Sequence, residues 1–362
     1  MGKKRVRIND LAVGMIVADD VYNSTDQLII TRSTIINDKL ISKLKLYGIP
    51  AVNIIEVEKD KPKTDDDIAV QTQTEKIKES EDFKQFESVF SVAVSELQRN
   101  LQEAVQSKMT QEILGSIQTI TKAVLEESAK HPHLFDMLQC TREVSDGVYS
   151  HSINVAIISA TLAKWLRLSK YDQEQLGLAG MLHDIGKLMI PENILLKPFK
   201  LTEEEYTVVK SHALKGYMLL KAMPVDEHVK YGILMHHERC NGSGYPTGVK
   251  GEKIDKYAKI LAIADVYDAM TSSRVYRDSI CAFDVISNFE KDGLHLYEIE
   301  YIMTFLKNIA NAYIHSQVRL SNGVVGEIIM LNNNKLAKPV VKAGTTFIDL
   351  SKEPDIKIEA IL

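Results

Sequence analysis

The chain has 362 residues, 45% of them hydrophobic and 26% charged, enough to bury a real core and to divide into two or three domains. Its formal net charge of −5 leaves no overall basic field for holding DNA through its phosphates, so an anionic ligand has to be held by local charge. Cys140, Cys240 and Cys281 fall in no paired spacing, which argues against a disulfide framework or a thiolate zinc site, and no apolar window approaches a membrane span in length. A cytoplasmic location is therefore expected.

Residues 1–58 alternate short β-branched runs (Met15 to Val17, Leu28 to Ile30, Ala51 to Ile55) with turn signals. One helix is predicted over 38–47, with Asn37 as its N-cap and Gly48 as its stop, giving a small α+β module. A charged linker with Asp65, Asp66 and Asp67 in a row opens the next stretch, 59–139, which continues as a helical connector. Its first helix repeats Phe83, Phe86, Phe90, Ala93, Leu97 and Leu101 every three or four residues, and a second stripe runs through Ile113, Ile117, Ile120 and Val124. Two packing helices within one chain, or a signal helix that pairs two chains into a homodimer, both fit this pattern.

Residues 140–317 are helical by pattern, with loops predicted at 188–202 and 240–256. Strand texture returns over 318–362, where the turn Ser321-Asn322-Gly323 predicts a β-hairpin or small β cap. The fold class expected is mainly α, a helical bundle between a small α+β module and this cap.

The chemistry lies in the helical part. His183 and Asp184 end an apolar helix in GLAGMLHDIGKLMIP, a pair that a satisfied helix end would explain equally well on its own. His151, however, sits one turn into the apolar helix of YSHSINVAIISATLAKWL, where an unpaired imidazole would cost about 1–3 kcal/mol. His212 repeats that arrangement in VVKSHALKGYMLL. A backbone carbonyl could satisfy each of them, but three such cases in succession favour a shared partner such as a metal.

His236 and His237 are adjacent and precede Glu238. Neighbouring helical residues diverge by about 100°, so both reach one ion only near a helix end, and the loop from Asn241 to Pro246 supplies that end. Asp265 lies inside the apolar run KILAIADVYDAM, where a buried carboxylate has to be paired or metal-bound.

The ordered series His151, His183-Asp184, His212, His236-His237, Asp265 is similar to the HD phosphohydrolase superfamily, and HHERCNGSGYP resembles the signature of the HD-GYP family of cyclic di-GMP phosphodiesterases. HDIGK, KPFKLT and ADVYDAMTS stand in that family's order, and the resemblance covers residues 140–317. It implies an HD-type helical bundle with two divalent metals bridged by Asp184. His151, His183 and Asp265 would hold one ion, and His212, His236 and His237 the other. Imidazoles and carboxylates without thiolate suit Fe or Mn, with Ni or Zn as alternatives, rather than Mg or Ca.

The resemblance further assigns Lys187 to the scissile phosphate, and Arg274 and Arg277 to that diester or its neighbour. Gly244, Tyr245 and Pro246 would shape the substrate site or dock a GGDEF-type cyclase. In the subset of the family with a third metal, Glu stands four residues before the first histidine. Gly147 stands there in this chain, so two metals are expected. Asn241, Ser273 and Val275 also depart from the usual Asp, Asp and Pro. Hydrolysis of cyclic di-GMP to pGpG or GMP is the implied activity. The rivals are an HD hydrolase of another cyclic or mononucleotide and a non-catalytic sensor of cyclic di-GMP.

Overall fold

The structure, a computed structural model, describes residues 2–8, 11, 15–22, 28–32, 34–37, 40–41, 44, 49, 51–56, 73–131, 133–144, 147–195, 197, 199–271 and 281–362. Two compact units result, Met1–Val70 and Gln71–Leu362.

In the first unit β1 (Gly2–Arg7), β2 (Val21–Tyr22), β3 (Leu28–Ile30) and β4 (Ala51–Glu56) form two antiparallel pairs, β1 with β4 and β2 with β3. Alternation decides which side is buried: Val6 faces Val52 across the first pair, and both are buried, while Arg5 and Asn53 between them stay exposed. Asn37 accepts a 2.9 Å hydrogen bond from the Leu40 N–H, as a cap should. Gly48 and most of the predicted helix lie outside the described residues. Val17, Ile36 and Leu44 form the centre of this unit's own core.

The second unit begins with α1 (Gln73–Glu79), α2 (Glu81–Gln106) and α3 (Gln111–Ser128). Ser80 caps α2 by accepting from the Phe83 N–H, and Thr110 caps α3 by accepting from Ile113. Every residue of the first stripe, Phe83 to Leu101, is buried, and so are Ile113, Ile117 and Val124 of the second, with Ile120 half-buried. Both stripes join one hydrophobic core with the helices that follow, so they pack within the chain.

Next come α4 (Leu134–Val144), α5 (Val148–Trp165) and α6 (Lys170–Leu182). Almost all of α5 from Ser150 to Ala163 is buried, the signature of a helix surrounded on all sides. The predicted loop over 188–202 contains a one-turn helix, α7 (Glu192–Leu195), and ends at the capping box of Thr202 and Glu205 that opens α8 (Glu203–Lys210). Then follow α9 (His212–Leu220), α10 (Glu227–Met235), α11 (Lys256–Thr271), α12 (Ala282–Asp292) and α13 (Ile299–Ala312).

The β cap is larger than a hairpin. β5 (Gln317–Leu320), β6 (Val325–Met330), β7 (Val340–Ala343), β8 (Thr346–Asp349) and β9 (Ile358–Ile361) form an antiparallel sheet in the order β8-β7-β6-β5-β9. Its inward residues Val318, Leu320, Ile328 and Val341 join the main core. Glu290 of α12 accepts from the Leu336 N–H at 2.6 Å and ties the sheet to the bundle. No described helix is long and apolar enough to cross a membrane.

Candidate metal centre

Three helix ends and two helix interiors converge. His151 comes from the first turn of α5 and Asp265 from the middle of α11. His183 is the residue on which α6 ends, with Asp184 just beyond it, and His236 plays the same part for α10 with His237 beyond it. His212 begins α9. A helix end frees adjacent residues from the 100° divergence of the helix interior, which is why both adjacent pairs can contribute. Gly186, in the 3₁₀ turn Ile185–Met189 after Asp184, makes this convergence close: a Cβ there would lie 2.0 Å from the His212 carbonyl oxygen.

Seven residues fall into two groups, each with its candidate ligand atoms within 4.8 Å of one another: Asp184, His212, His236 and His237, and His151, His183 and Asp265. Asp184 lies between them. Its Oδ2 is 3.3 Å from His183 Nε2 and 3.7 Å from His151 Nε2, whereas its Oδ1 is 3.5 Å from His212 Nε2 and 3.9 Å from His236 Nε2. Asp265 also spans the groups, with Oδ1 at 3.1 Å from His151 Nε2 and Oδ2 at 3.8 Å from His237 Nδ1.

The helices also orient the imidazoles. His183 Nδ1 donates to the Gly180 carbonyl, His212 Nδ1 to Val209 and His236 Nδ1 to Ile233, each at 2.7–2.8 Å and each three residues back. A carbonyl only accepts, so these bonds place the proton on Nδ1 and turn a bare Nε2 lone pair toward the centre in all three rings. His151 is oriented by two carboxylates instead, with Asp268 Oδ2 2.7 Å from its Nδ1 and Asp265 Oδ1 3.1 Å from its Nε2.

Burial pushes the pKa of His236 well below the ordinary imidazole value and that of His237 down to about 3, with their neighbouring imidazoles adding to the effect. Burial alone would raise Asp184 and Asp265. The surrounding His183 and Lys187 beside the first, and His151 beside the second, instead hold both carboxyls well below the usual range. Burial opposes a proton on His151, but its bonds to Asp265 and Asp268 prevail and raise it to about 10.

This set fits a metal on its own terms. His183 Nε2 and Asp184 Oδ1 are buried polar atoms with no hydrogen-bond partner, a condition that costs about 1–3 kcal/mol per group unless something else satisfies it. His212 Nε2 and His236 Nε2 face each other at 3.3 Å, and with both protons on Nδ1 two lone pairs oppose one another there. A cation removes both penalties. Five imidazoles, two carboxylates and no thiolate match borderline transition metals.

The remaining expected residues are placed as follows. Lys187 donates to Asp184 Oδ2 at 2.5 Å, and its side chain is 24% exposed at the edge of the cluster. The Tyr245 ring stacks on His237 with centroids 4.6 Å apart and meets His212 edge-on at 6.3 Å. Gly244 lets the loop lie that close, since a Cβ there would sit 2.4 Å from Glu238 Cα. The buried Glu238 fastens the same loop by accepting from the Thr247 N–H, the Thr247 hydroxyl and the Gly248 N–H. Arg274, Arg277, Ser273 and Val275 lie outside the described residues.

Two residues escaped the sequence reading. Asp268 is fully buried and three residues beyond Asp265, so both acids share one face of α11; that spacing was the available signal. Glu238 was visible only as the neighbour of two histidines, and its role in closing the loop needs the fold.

Comparison with known proteins agrees with this geometry. Residues 126–294 match the HD domain family. The chain is 35% identical over 214 residues to the cyclic di-GMP phosphodiesterase PA4108 of Pseudomonas aeruginosa, which covers 59% of this chain and 51% of that protein. It is 43% identical to the cyclic di-GMP phosphodiesterase response regulator RpfG of Xanthomonas campestris pv. campestris, over 34% of this chain and 33% of that one. It is 42% identical to the 3'3'-cGAMP-specific phosphodiesterase 1 of Vibrio cholerae, over 40% and 33% of the two chains. The match thus spans a third to a half of the length of these relatives.

Proposed function

We propose, from the premise that residues 126–294 form an HD domain, that this chain is a metal-dependent phosphodiesterase hydrolysing cyclic di-GMP to pGpG, GMP or both in bacterial second-messenger signalling. The observation that carries this reading is Asp184, whose two oxygens face different sets of imidazoles. One carboxylate placed in this way serves two ions at once. His151, His183 and Asp265 would hold the first, and His212, His236 and His237 the second, with Fe or Mn favoured and Ni or Zn as alternatives. A metal pair of this kind, when bound, polarises the phosphoryl oxygens and makes water a nucleophile at neutral pH.

The chain's own groups supply the rest. Lys187, partly exposed beside Asp184, brings an ammonium to the scissile phosphate where negative charge grows. Arg274 and Arg277 would take the diester or its neighbour as planar forks. Tyr245, held flat against His237, offers a ring to the bound nucleotide, with Gly244 and Pro246 fixing its approach. In this reading residues 140–317 are the catalytic part and 318–362 a cap, with 1–58 and 59–139 as input module and connector. A cytoplasmic location, a homodimer and a GGDEF-type cyclase docked on the Gly244 to Pro246 loop belong to the same proposal.

The likeness to a 3'3'-cGAMP-specific enzyme supports a second reading, in which another cyclic dinucleotide is the substrate. Anaerobically purified protein, assayed for metal and then for turnover of cyclic di-GMP, 3'3'-cGAMP and cyclic di-AMP, separates the two. Cyclic di-GMP is expected to be hydrolysed fastest. Lys187→Ala is expected to keep its metal and lose about 10²–10³-fold in rate. Metal-loaded protein that hydrolyses none of the three would overturn both readings and leave an HD hydrolase of a mononucleotide or a non-catalytic sensor.

A further inference from the structure

A cavity of about 440 Å³ opens between α3, α4, α5 and α6, away from the metal centre. Its α5 wall runs from Ala160 to Trp165, nine to fourteen residues beyond His151, which is roughly 14–21 Å along the helix axis. Its α6 wall includes Gln173, ten residues before His183, or about 15 Å. The two helices that deliver the first histidines to the centre thus carry this cavity at their other ends.

The lining combines two chemistries. Leu125, Phe135 and Trp165 are apolar or aromatic, and the last two rings stack on each other with centroids 5.6 Å apart and planes 23° from parallel. Three ammonium groups, Lys122, Lys164 and Lys170, line the same space with two carboxylates, Glu126 and Glu174. Lys122 is paired with Glu126 at 3.9 Å and Lys170 with Glu174 at 4.0 Å, both longer than a hydrogen bond. Lys164 has no ion pair among the described residues, so it brings to the cavity a positive charge unneutralised by any of them, in a lining that also carries the two aromatic rings. A volume of this size falls within the range of small-molecule sites, which are mostly apolar with a few placed polar groups.

The geometry points to a second binding site here, for a small aromatic anion: a planar ring system against Phe135 and Trp165, with its acidic group on Lys164. This site shares no residue with the metal centre and requires neither metal nor turnover.

Trp165 is the chain's single tryptophan and lines this cavity. The full chain is titrated with 8-anilinonaphthalene-1-sulfonate and read by energy transfer from Trp165. Saturable quenching with one probe per chain is expected. Lys164→Met, at an exposed position, should weaken that binding about three- to fivefold, the scale of one exposed ion pair. N-phenyl-1-naphthylamine, the same ring system without the sulfonate, should bind parent and variant alike. Probe binding that leaves Trp165 unquenched, no saturable binding, or equal affinity of the sulfonate for Lys164→Met and parent would each overturn the assignment.

Discussion

The α2–α3 connector and the His/Asp centre are buried to the same degree by opposite means. In the connector, Leu97 and Ile117 are fully enclosed within the hydrophobic core, so burial itself is the stabilising term, about 1.5–3 kcal/mol for each large side chain. In the centre, His183, His212 and His236 are just as enclosed, yet burial there is a cost, met by carbonyl acceptors on one side of each ring and left open on the other. The connector holds the fold. The centre draws on the stability of that fold to keep lone pairs aimed at one point.

Asp184→Ala gives the largest expected effect and tests this contrast most directly. Removing the carboxylate that both groups share should take metal content from about two per chain to near zero, and turnover should fall by at least about 10³-fold, the several kcal/mol that bound metal contributes. Parental metal content in the variant would break the assignment of Asp184 as the shared ligand.

Leu97→Ala should do the reverse. A fully buried leucine on the α2 stripe is expected to cost about 2–5 kcal/mol in denaturant unfolding, with metal content and turnover per folded molecule unchanged. Loss of metal without loss of stability would show that the connector shapes the centre and is not simply its support.

Asp268→Asn comes next. Its carboxylate orients His151 from behind without belonging to either ligand group, so metal affinity is expected to fall about 10–100-fold by competition with a chelator, with little change in melting temperature. An unchanged affinity would mean that the first turn of α5 alone fixes the ring.

The same contrast explains what the sequence could reveal. Apolar stripes repeat, so Phe83 to Leu101 and Ile113 to Val124 can be read by counting. His151, His212 and Asp265 stand out because each interrupts such a stripe. Asp268 was hidden because it shares a helix face with a more conspicuous acid. The carbonyls of Gly180, Val209 and Ile233 were hidden because every residue has one, and only a formed helix end shows which of them meets a histidine. The β cap was legible as strand texture but its strand order was not, since the short β9, Ile358–Ile361, acquires its meaning only by pairing with β5 some forty residues earlier.

The smallest effect concerns Gly147, at the start of α5, a helix that takes part in both regions, since it carries His151 to the centre and packs against α2. Gly147 is the N-cap, in extended backbone with φ 178°, and makes no side-chain cap bond. A Cβ built there meets nothing within 4 Å. Serine at this position would add an oxygen able to accept one of the unpaired N–H groups of the first turn and would also narrow the unfolded ensemble. Gly147→Ser is therefore expected to stabilise the chain by about 0.3–1 kcal/mol in denaturant unfolding. Its metal content should stay at two, because a hydroxyl one turn before His151 supplies no carboxylate for a third ion. A destabilised variant would mean that the start of α5 is under a constraint that its open surroundings do not show, and a third ion in either protein would require an acidic ligand from another part of the chain.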